Sequence, residues 1–405
     1  MQQHLALLSE PGFRWLLASR FASGAALTGL RAAVAWQLYE LTGSAFQLGL
    51  LGAVQFVPAL GFSLLGGAVA DAYDRRRIAQ LGLAVEFGCA LTLAWATARG
   101  AASSELLFGL VFVGASAAAF ENPARVSLLP LLVPRERFPG AVAIHSVVQA
   151  LAFMSGPALS GLAIGARGTT AAYAGSAALL AAAGIGLARL HPRRPEGERR
   201  SVSLGAIRDG LLYLRTQPVL LGCMLLDMFA VIFGGATAML PIYASEILRV
   251  GPTGYGVLQA AMEAGALATS VALVLRAPIE RQGRALLIAA ALFGAATVVF
   301  GLSRWFPLSV AAYAAAGMAD QVSVVMRSTV IQLATPDALR GRVSSVNMLF
   351  IGASNQLGAV ESGFVAAVTS ATFSVVSGGI ASLVVVAVVA LRVPELRRYR
   401  ALRGS

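Results

Sequence analysis

The stretch LLGGAVADAYDRRRI, residues 64–78, breaks an apolar run at Asp71, adds Asp74, and then sets Arg75, Arg76 and Arg77 in a row. An acid at the C-terminal end of a helix is electrostatically unfavourable unless a cation compensates it. The segment reads as a hydrophobic span that leaves the membrane through a charged turn, and the rest of the chain has to be tested for further spans.

Composition supports that reading. The 405 residues are 57% hydrophobic and only 12% charged, with a mean hydropathy of +0.75. A soluble domain carries about 25% charged residues, so much of this surface must face lipid. A helix needs about 20 apolar residues to cross the hydrocarbon. Runs of that kind place spans near 14–38, 46–70, 78–98, 105–130, 140–165 and 170–190, then near 219–243, 254–275, 285–303, 308–333, 342–367 and 371–392. The expected fold class is an all-α membrane protein with twelve transmembrane helices. The first span carries Arg20 and no small-residue cleavage site follows a short apolar core, so it is expected to be a retained helix.

All 31 basic residues are arginine. With a cytoplasmic N-terminus, only Arg99, Arg167, Arg249 and Arg304 fall in loops on the far side, which is the asymmetry of the positive-inside rule. Both termini are then cytoplasmic, and the net charge of +12 follows from topology, with no nucleic-acid partner implied. The absence of lysine excludes a phosphate-binding P-loop lysine and a Schiff base. Cys89 and Cys223 lie inside predicted spans and His4, His145 and His191 are scattered, so neither a disulfide framework nor a metal site is expected, and no cofactor. There is also no intramembrane Ser–His pair or paired-aspartate motif on which an enzyme could be built.

The chain divides into two halves that echo each other. Residues 191–218, HPRRPEGERRSVSLGAIRDGLLYLRTQP, begin as a proline-broken, arginine-rich linker. They continue with Leu204, Ile207, Leu211 and Leu214 at helical spacing, an amphipathic helix suited to the cytoplasmic membrane face. That helix is either a solvated connector with one apolar side or a regulatory surface. Shifting LLPLLVPRERFPGAV (128–142) by 202 residues onto VIQLATPDALRGRVS (330–344) aligns Pro134 with Pro336 and Arg125 with Arg327. Repeats of six spans are characteristic of secondary transporters. The expected organisation is an N-terminal six-helix bundle (1–190), the linker (191–218), and a pseudo-symmetric C-terminal six-helix bundle with a short basic tail (219–405).

Gly67-x-x-x-Asp71-x-x-x-Arg75-Arg76 resembles the signature of the major facilitator superfamily, G-x-x-x-D-R-x-G-R-R, with Ala72 in place of an arginine and Asp74 in place of the glycine. FENPARVSLLPLLVP (120–134), GPALSG (156–161), TPDALRGRV (335–343) and PELRRYR (394–400) are similar to the macrolide-efflux and enterobactin-exporter branch, grouped with drug:proton antiporters. The resemblance implies the major facilitator fold and a cytoplasmic gate built on Gly67, Asp71, Arg75 and Arg76, with Arg340 and Arg342 as partners; the arginines also serve topology. It implies that Gly156, Pro157 and Gly161 form an antiporter-type helix motif, against the simpler reading of close helix packing. It further implies that spans one, four, seven and ten line the central cavity.

Glu86, Glu121, Asp227, Glu263, Asp320 and Glu361 fall inside predicted spans, as do Arg20, Arg31, Arg125 and Arg327. Each central charge costs about 2.5–3.5 kcal/mol on the insertion scale, so these groups must pair, carry a proton or line water. Glu121 and Arg125 are i,i+4, and Asp320 and Arg327 are i,i+7, so each pair shares a helix face. Either these are structural ion pairs or, with Arg31, they bind substrate in the cavity. Asp227, Glu263 and Glu361 lie amid apolar or small residues with no local cation and are the candidates for proton coupling; Glu86 is expected to serve packing or the gate. Phe56, Phe120, Phe229 and Phe350 are candidate contacts for an organic substrate. The expected activity is proton-coupled export of a small organic compound, drug-like or a siderophore, by a monomer in the bacterial inner membrane. An uptake symporter or lipid flippase of the same fold is the alternative.

Overall fold

The computed structural model describes residues 10–190, 211–276 and 279–400, apart from the side chains of residues 63, 64, 67, 68, 70–72, 135, 337 and 338. Among the described residues twelve helices exceed sixteen residues: α1 Pro11–Thr42, α2 Ala45–Ala72, α3 Arg75–Ala98, α4 Ser104–Val126, α5 Phe138–Arg167, α6 Thr169–Ala188, α7 Pro218–Gly234, α8 Gly251–Leu275, α9 Gln282–Leu302, α10 Phe306–Ala334, α11 Asp337–Val368 and α12 Ala371–Arg392. Among the described residues, ten spans are long and apolar enough to cross a membrane. The two that fall short, α1 and α11, carry the polar load: Arg14, Arg20, Arg31 and Glu40 in one, Arg340, Arg342, Asn347, Asn355 and Glu361 in the other. Large apolar side chains such as Val274, Leu275 and Leu391 point outward, as a lipid-facing surface requires.

The contacts define two compact units, one of Met1–Thr42, Val57–Val202 and Gly251–Ala260, the other of Gly43–Phe56, Ser203–Val250 and Ala261–Ser405. In the first, α1 packs on α5 and α6, and α3 on α4 and α6. In the second, α7 packs on α11 and α12, and α9 on α10 and α12. The second pattern is the first advanced by six helices. Each unit has its own apolar core: Phe13, Leu16, Leu83, Leu180 and Leu187 in one, Leu220, Met224, Leu286, Val330 and Leu396 in the other. Of the expected linker helix, 201–210 lies outside the described residues; 211–215 is helical and Leu214 is fully buried.

Glycine crossings make the repeat visible at atomic scale. In α5, a Cβ on Gly156 would press on α1, where one on Gly29 would lie 2.9 Å from the Gly156 carbonyl oxygen, and a Cβ on Gly161 would lie 2.8 Å from Gly256 Cα of α8. In α11, a Cβ on Gly358 would lie 2.8 Å from the Val231 carbonyl oxygen of α7, and Gly363 meets Gly49 of α2, whose own Cβ would lie 2.8 Å from Gly363 Cα. Gly358 and Gly363 stand 202 residues after Gly156 and Gly161, the same shift that aligns the two arginines. Small residues let helix backbones approach this closely.

Candidate functional site

In the first unit the buried charges gather where α1, α3 and α4 meet. Arg125 Nη1 lies 3.0 Å from Glu121 Oε1, as the i,i+4 spacing requires, with both side chains at most 6% exposed. Glu86 of α3, 3% exposed, faces Glu121, and Gly82 one turn earlier leaves room for that carboxylate: a Cβ there would sit 3.0 Å from Glu121 Oε2. Arg20 and Arg125 border a cavity of about 10 Å³ with Ser19 and His145, room for a single water. Among the described residues Arg20 Nε, Glu86 Oε2 and Arg125 Nη2 are buried without a hydrogen-bond partner. Arg31, in contrast, is accessible along α1, within electrostatic reach of Glu86. Sequence placed Arg20 and Glu86 inside spans but gave neither a part in this cluster, since their partners are more than 30 residues away in the chain.

The second unit corrects two expectations about pairing. Arg327 of α10 forms its ion pair with Asp227 of α7, not with Asp320 on its own helix, and Asp227, which has no cation near it in sequence, is not isolated in space. Both partners are buried, at 3% and 6% side-chain exposure. The physical reason is that an i,i+7 separation spans two full turns, about 10 Å along the axis, whereas the facing helix presents its carboxylate directly.

Asp320 is thereby left to another neighbour. It and Glu263 of α8 lie within electrostatic reach of each other, both half-buried, and among the described residues neither has an ion-pair or hydrogen-bond partner. Their helices approach through two glycines: a Cβ on Gly317 would lie 2.7 Å from the Met262 carbonyl carbon, and one on Gly265 would lie 2.9 Å from that of Ala314. Tyr313, close to both acids, exchanges a 2.8 Å hydrogen bond with Thr237. The third candidate, Glu361 of α11, accepts a hydrogen bond from Ser362 Oγ at 3.3 Å, and the same hydroxyl lies 3.2 Å from the Gly235 carbonyl oxygen.

Gly235 marks a break that the sequence reading missed. The expected span over 219–243 lies within one apolar span, Pro218–Ile247, but it is not one continuous α-helix: α7 stops at Gly234, and a 3-10 turn, Ala236–Met239, and a π-helical turn, Tyr243–Ile247, follow. Interrupted helices of this kind supply polar backbone at transporter binding sites. The signal was present in Gly234-Gly235 and Pro241.

The opening motif is stapled within its own unit. Asp74 caps α3, its Oδ1 accepting from the Arg76 and Arg77 amides at 2.9 and 3.4 Å. Arg75 Nη1 donates to the Ser127 carbonyl at 3.5 Å and Arg76 Nη2 to that of Ala188, so each guanidinium satisfies the C-terminal end of another helix, α4 and α6 respectively. The side chains of Gly67 and Asp71 lie outside the described residues, while Arg340 and Arg342 are exposed in the first turns of α11. Pro157 sits inside α5 between the glycine crossings of Gly156 and Gly161, and the same five-residue glycine spacing recurs in α11. Of the aromatic candidates, Phe120 stacks on Phe62 at 5.9 Å, Phe229 on Phe233 at 6.2 Å, and Phe350 packs at the edge of the second core.

Among the described residues, twelve long helices in two repeated packing patterns, with charged residues inside the spans, have the fold of a membrane transporter of the major facilitator type. The profile of the family described as transmembrane secretion effector matches residues 2–402, and the chain belongs to that family within the major facilitator superfamily. It is a transporter and not an enzyme. It is 26% identical to the enterobactin exporter EntS of Escherichia coli O1:K1 over 410 aligned positions, covering 98% of this chain and 95% of the relative, and equally to that of Escherichia fergusonii. Among solved structures, a bacterial homologue of the human lysosomal transporter Spinster superposes with a TM-score of 0.75 at 15% identity, covering 96% of this chain and 98% of that one. A POT family transporter in complex with 5-aminolevulinic acid gives 0.73 at 13% identity, covering 95% and 96%. These structures share the fold.

Proposed function

We propose that this protein is a proton-coupled exporter, an antiporter acting as a monomer in the bacterial cytoplasmic membrane with both termini inside. Its cargo is a small, partly anionic organic compound of the siderophore or drug-like class. The cargo reading draws on the relatives' activity and on Arg31, which is accessible along a span where a lipid-facing arginine would be costly. Arg125 and Arg327 already hold carboxylates, each within its own unit.

The observation that carries the coupling is the pair Glu263 and Asp320, two neighbouring carboxyl groups that among the described residues have no cation partner, whereas Glu121 and Asp227 are held by Arg125 and Arg327. An ionised carboxylate in a span is expensive unless it is compensated. A bound proton removes that cost, and release of the proton on the cytoplasmic side, where substrate loads, restores the charge. Inward proton movement gains about 2.3 kcal/mol per charge per 100 mV of membrane potential. The test follows a catecholate siderophore in cells producing wild type, Glu263→Gln and Asp320→Asn. Depletion from wild-type cells, lost in the variants at equal membrane abundance, is expected; accumulation in wild-type cells, or undiminished export by the double variant, overturns the reading.

A further inference from the structure

We propose that a second, peripheral site binds the phosphate of an anionic phospholipid, and that its ligands are Arg281, Arg284, Arg397, Arg398 and Arg400. These five guanidinium groups and Tyr399 line one cleft of about 250 Å³. They come from two segments far apart in sequence, the first turn of α9 and the terminal helix Pro394–Arg398 with the residues after it.

Their convergence is built into the fold. Gly283 of α9 lies directly under the tail, where a Cβ would come within 2.9 Å of the Leu396 carbonyl carbon and 3.3 Å of Tyr399 Cβ. The Gly283 amide donates to the Tyr399 carbonyl at 3.4 Å, and Leu396 is fully buried in the core with Leu286. The tail is thus pinned against the start of α9 by backbone contact and an apolar anchor, and the arginines are carried to the rim. Among the described residues none of the five is ion-paired.

Arginines that only fix topology have no need to converge, and spreading apart would lower their mutual repulsion. A cleft that gathers five of them is stabilised by an anion. The position selects a lipid: four spans separate the start of α9 from the end of α12, so both segments lie on one face of the membrane, in the headgroup layer. Basic pockets at that depth bind acidic headgroups, and guanidinium matches phosphate oxygens with two parallel hydrogen bonds. At about 250 Å³ the cleft is many times the ~10–15 Å³ that one water needs on the same measure, which leaves room for a phosphate group.

The experiment measures thermal unfolding of the purified full chain in neutral micelles, alone, with dioleoyl phosphatidylglycerol, with dioleoyl phosphatidylcholine, and with inorganic phosphate. Native mass spectrometry counts retained lipid in parallel. Phosphatidylglycerol is expected to raise the midpoint of the wild type and phosphatidylcholine to leave it unchanged. At least half of that rise should be lost in Arg284→Gln/Arg398→Gln and kept in Arg99→Gln/Arg304→Gln, which removes the same charge elsewhere. An undiminished rise in the first variant, or an equal loss in the second, overturns the proposal. Inorganic phosphate that stabilises as much as the lipid overturns the lipid as its occupant. All four arginines are exposed, so both variants fold in the absence of lipid, and a first variant whose lipid-free midpoint falls by more than the phosphatidylglycerol rise counts against the site.

Discussion

Adding one methyl group at Gly161 or Gly363 tests the paired glycine crossings directly. An alanine at Gly161 places its Cβ 2.8 Å from Gly256 Cα and 2.5 Å from the Pro252 carbonyl oxygen, and at Gly363 it comes 2.9 Å from the Ala45 carbonyl oxygen. Carbon atoms settle near 3.5–4.0 Å, so the Gly161 contact with Gly256 is about 0.7 Å too short and the helices must part. Backbone lies on the other side, and no flexible side chain can give way. Overpacking of this kind costs about 1–3 kcal/mol. Gly109, Gly114 and Gly352 are the controls, since a Cβ at any of them meets nothing within 4 Å. There alanine is expected to gain about 0.5–1 kcal/mol from reduced backbone freedom. The assay is thermal unfolding of purified protein, read as the midpoint of monodisperse protein on size exclusion after heating. The two crossings should fall together and the controls hold or rise. Alanine at Gly161 and Gly363 as stable as alanine at Gly109 would refute the close approach and, with it, the repeat-related packing.

Further outcomes follow from the charges. Asp227→Ala or Arg327→Ala alone leaves a buried unpaired charge and should destabilise by about 3–5 kcal/mol, while Asp227→Leu/Arg327→Met should recover most of that loss in the same assay; additive losses would contradict the pair. Arg76→Ala removes the guanidinium from the C-terminal carbonyl of α6 and should cost about 0.3–1 kcal/mol, with Arg77→Ala, whose exposed side chain makes no such contact, as the neutral comparison. Ser362→Ala removes the hydroxyl that serves both Glu361 and the Gly235 carbonyl and should cost about 1 kcal/mol; an unchanged midpoint would show that the bond contributes nothing.

What the sequence made legible depended on range. Among the described residues, hydropathy placed a span on each of the twelve long helices, including α1 and α11, whose polar residues defeat a simple apolar count. The 202-residue shift exposed the repeat through Arg125 and Arg327, and structure extends it to Gly156, Gly161, Gly358 and Gly363. The Glu121–Arg125 pair was readable because i,i+4 geometry is local. Asp227 and Arg327 are 100 residues apart, and nothing local announces which facing helix supplies the carboxylate. The same holds for Glu263 with Asp320 and for Glu86 with Glu121. Asp74 looked like a departure from the family motif; as the N-cap of α3 it has a structural reason to be there. The interruption after Gly234 was masked by apolar residues on both sides, which keep hydropathy high through a break in the helix.

The central claim, exchange of substrate for protons through Glu263 and Asp320, is tested most directly by proton movement in proteoliposomes. Wild type, Glu263→Gln and Asp320→Asn would be given an outward-directed or inward-directed gradient of a catecholate siderophore, with internal pH followed by a trapped dye. The account predicts siderophore-driven proton flux in wild type, opposite in direction to the siderophore, and its loss in both variants. Siderophore movement without proton flux in wild type, or equal flux in all three proteins, would contradict it.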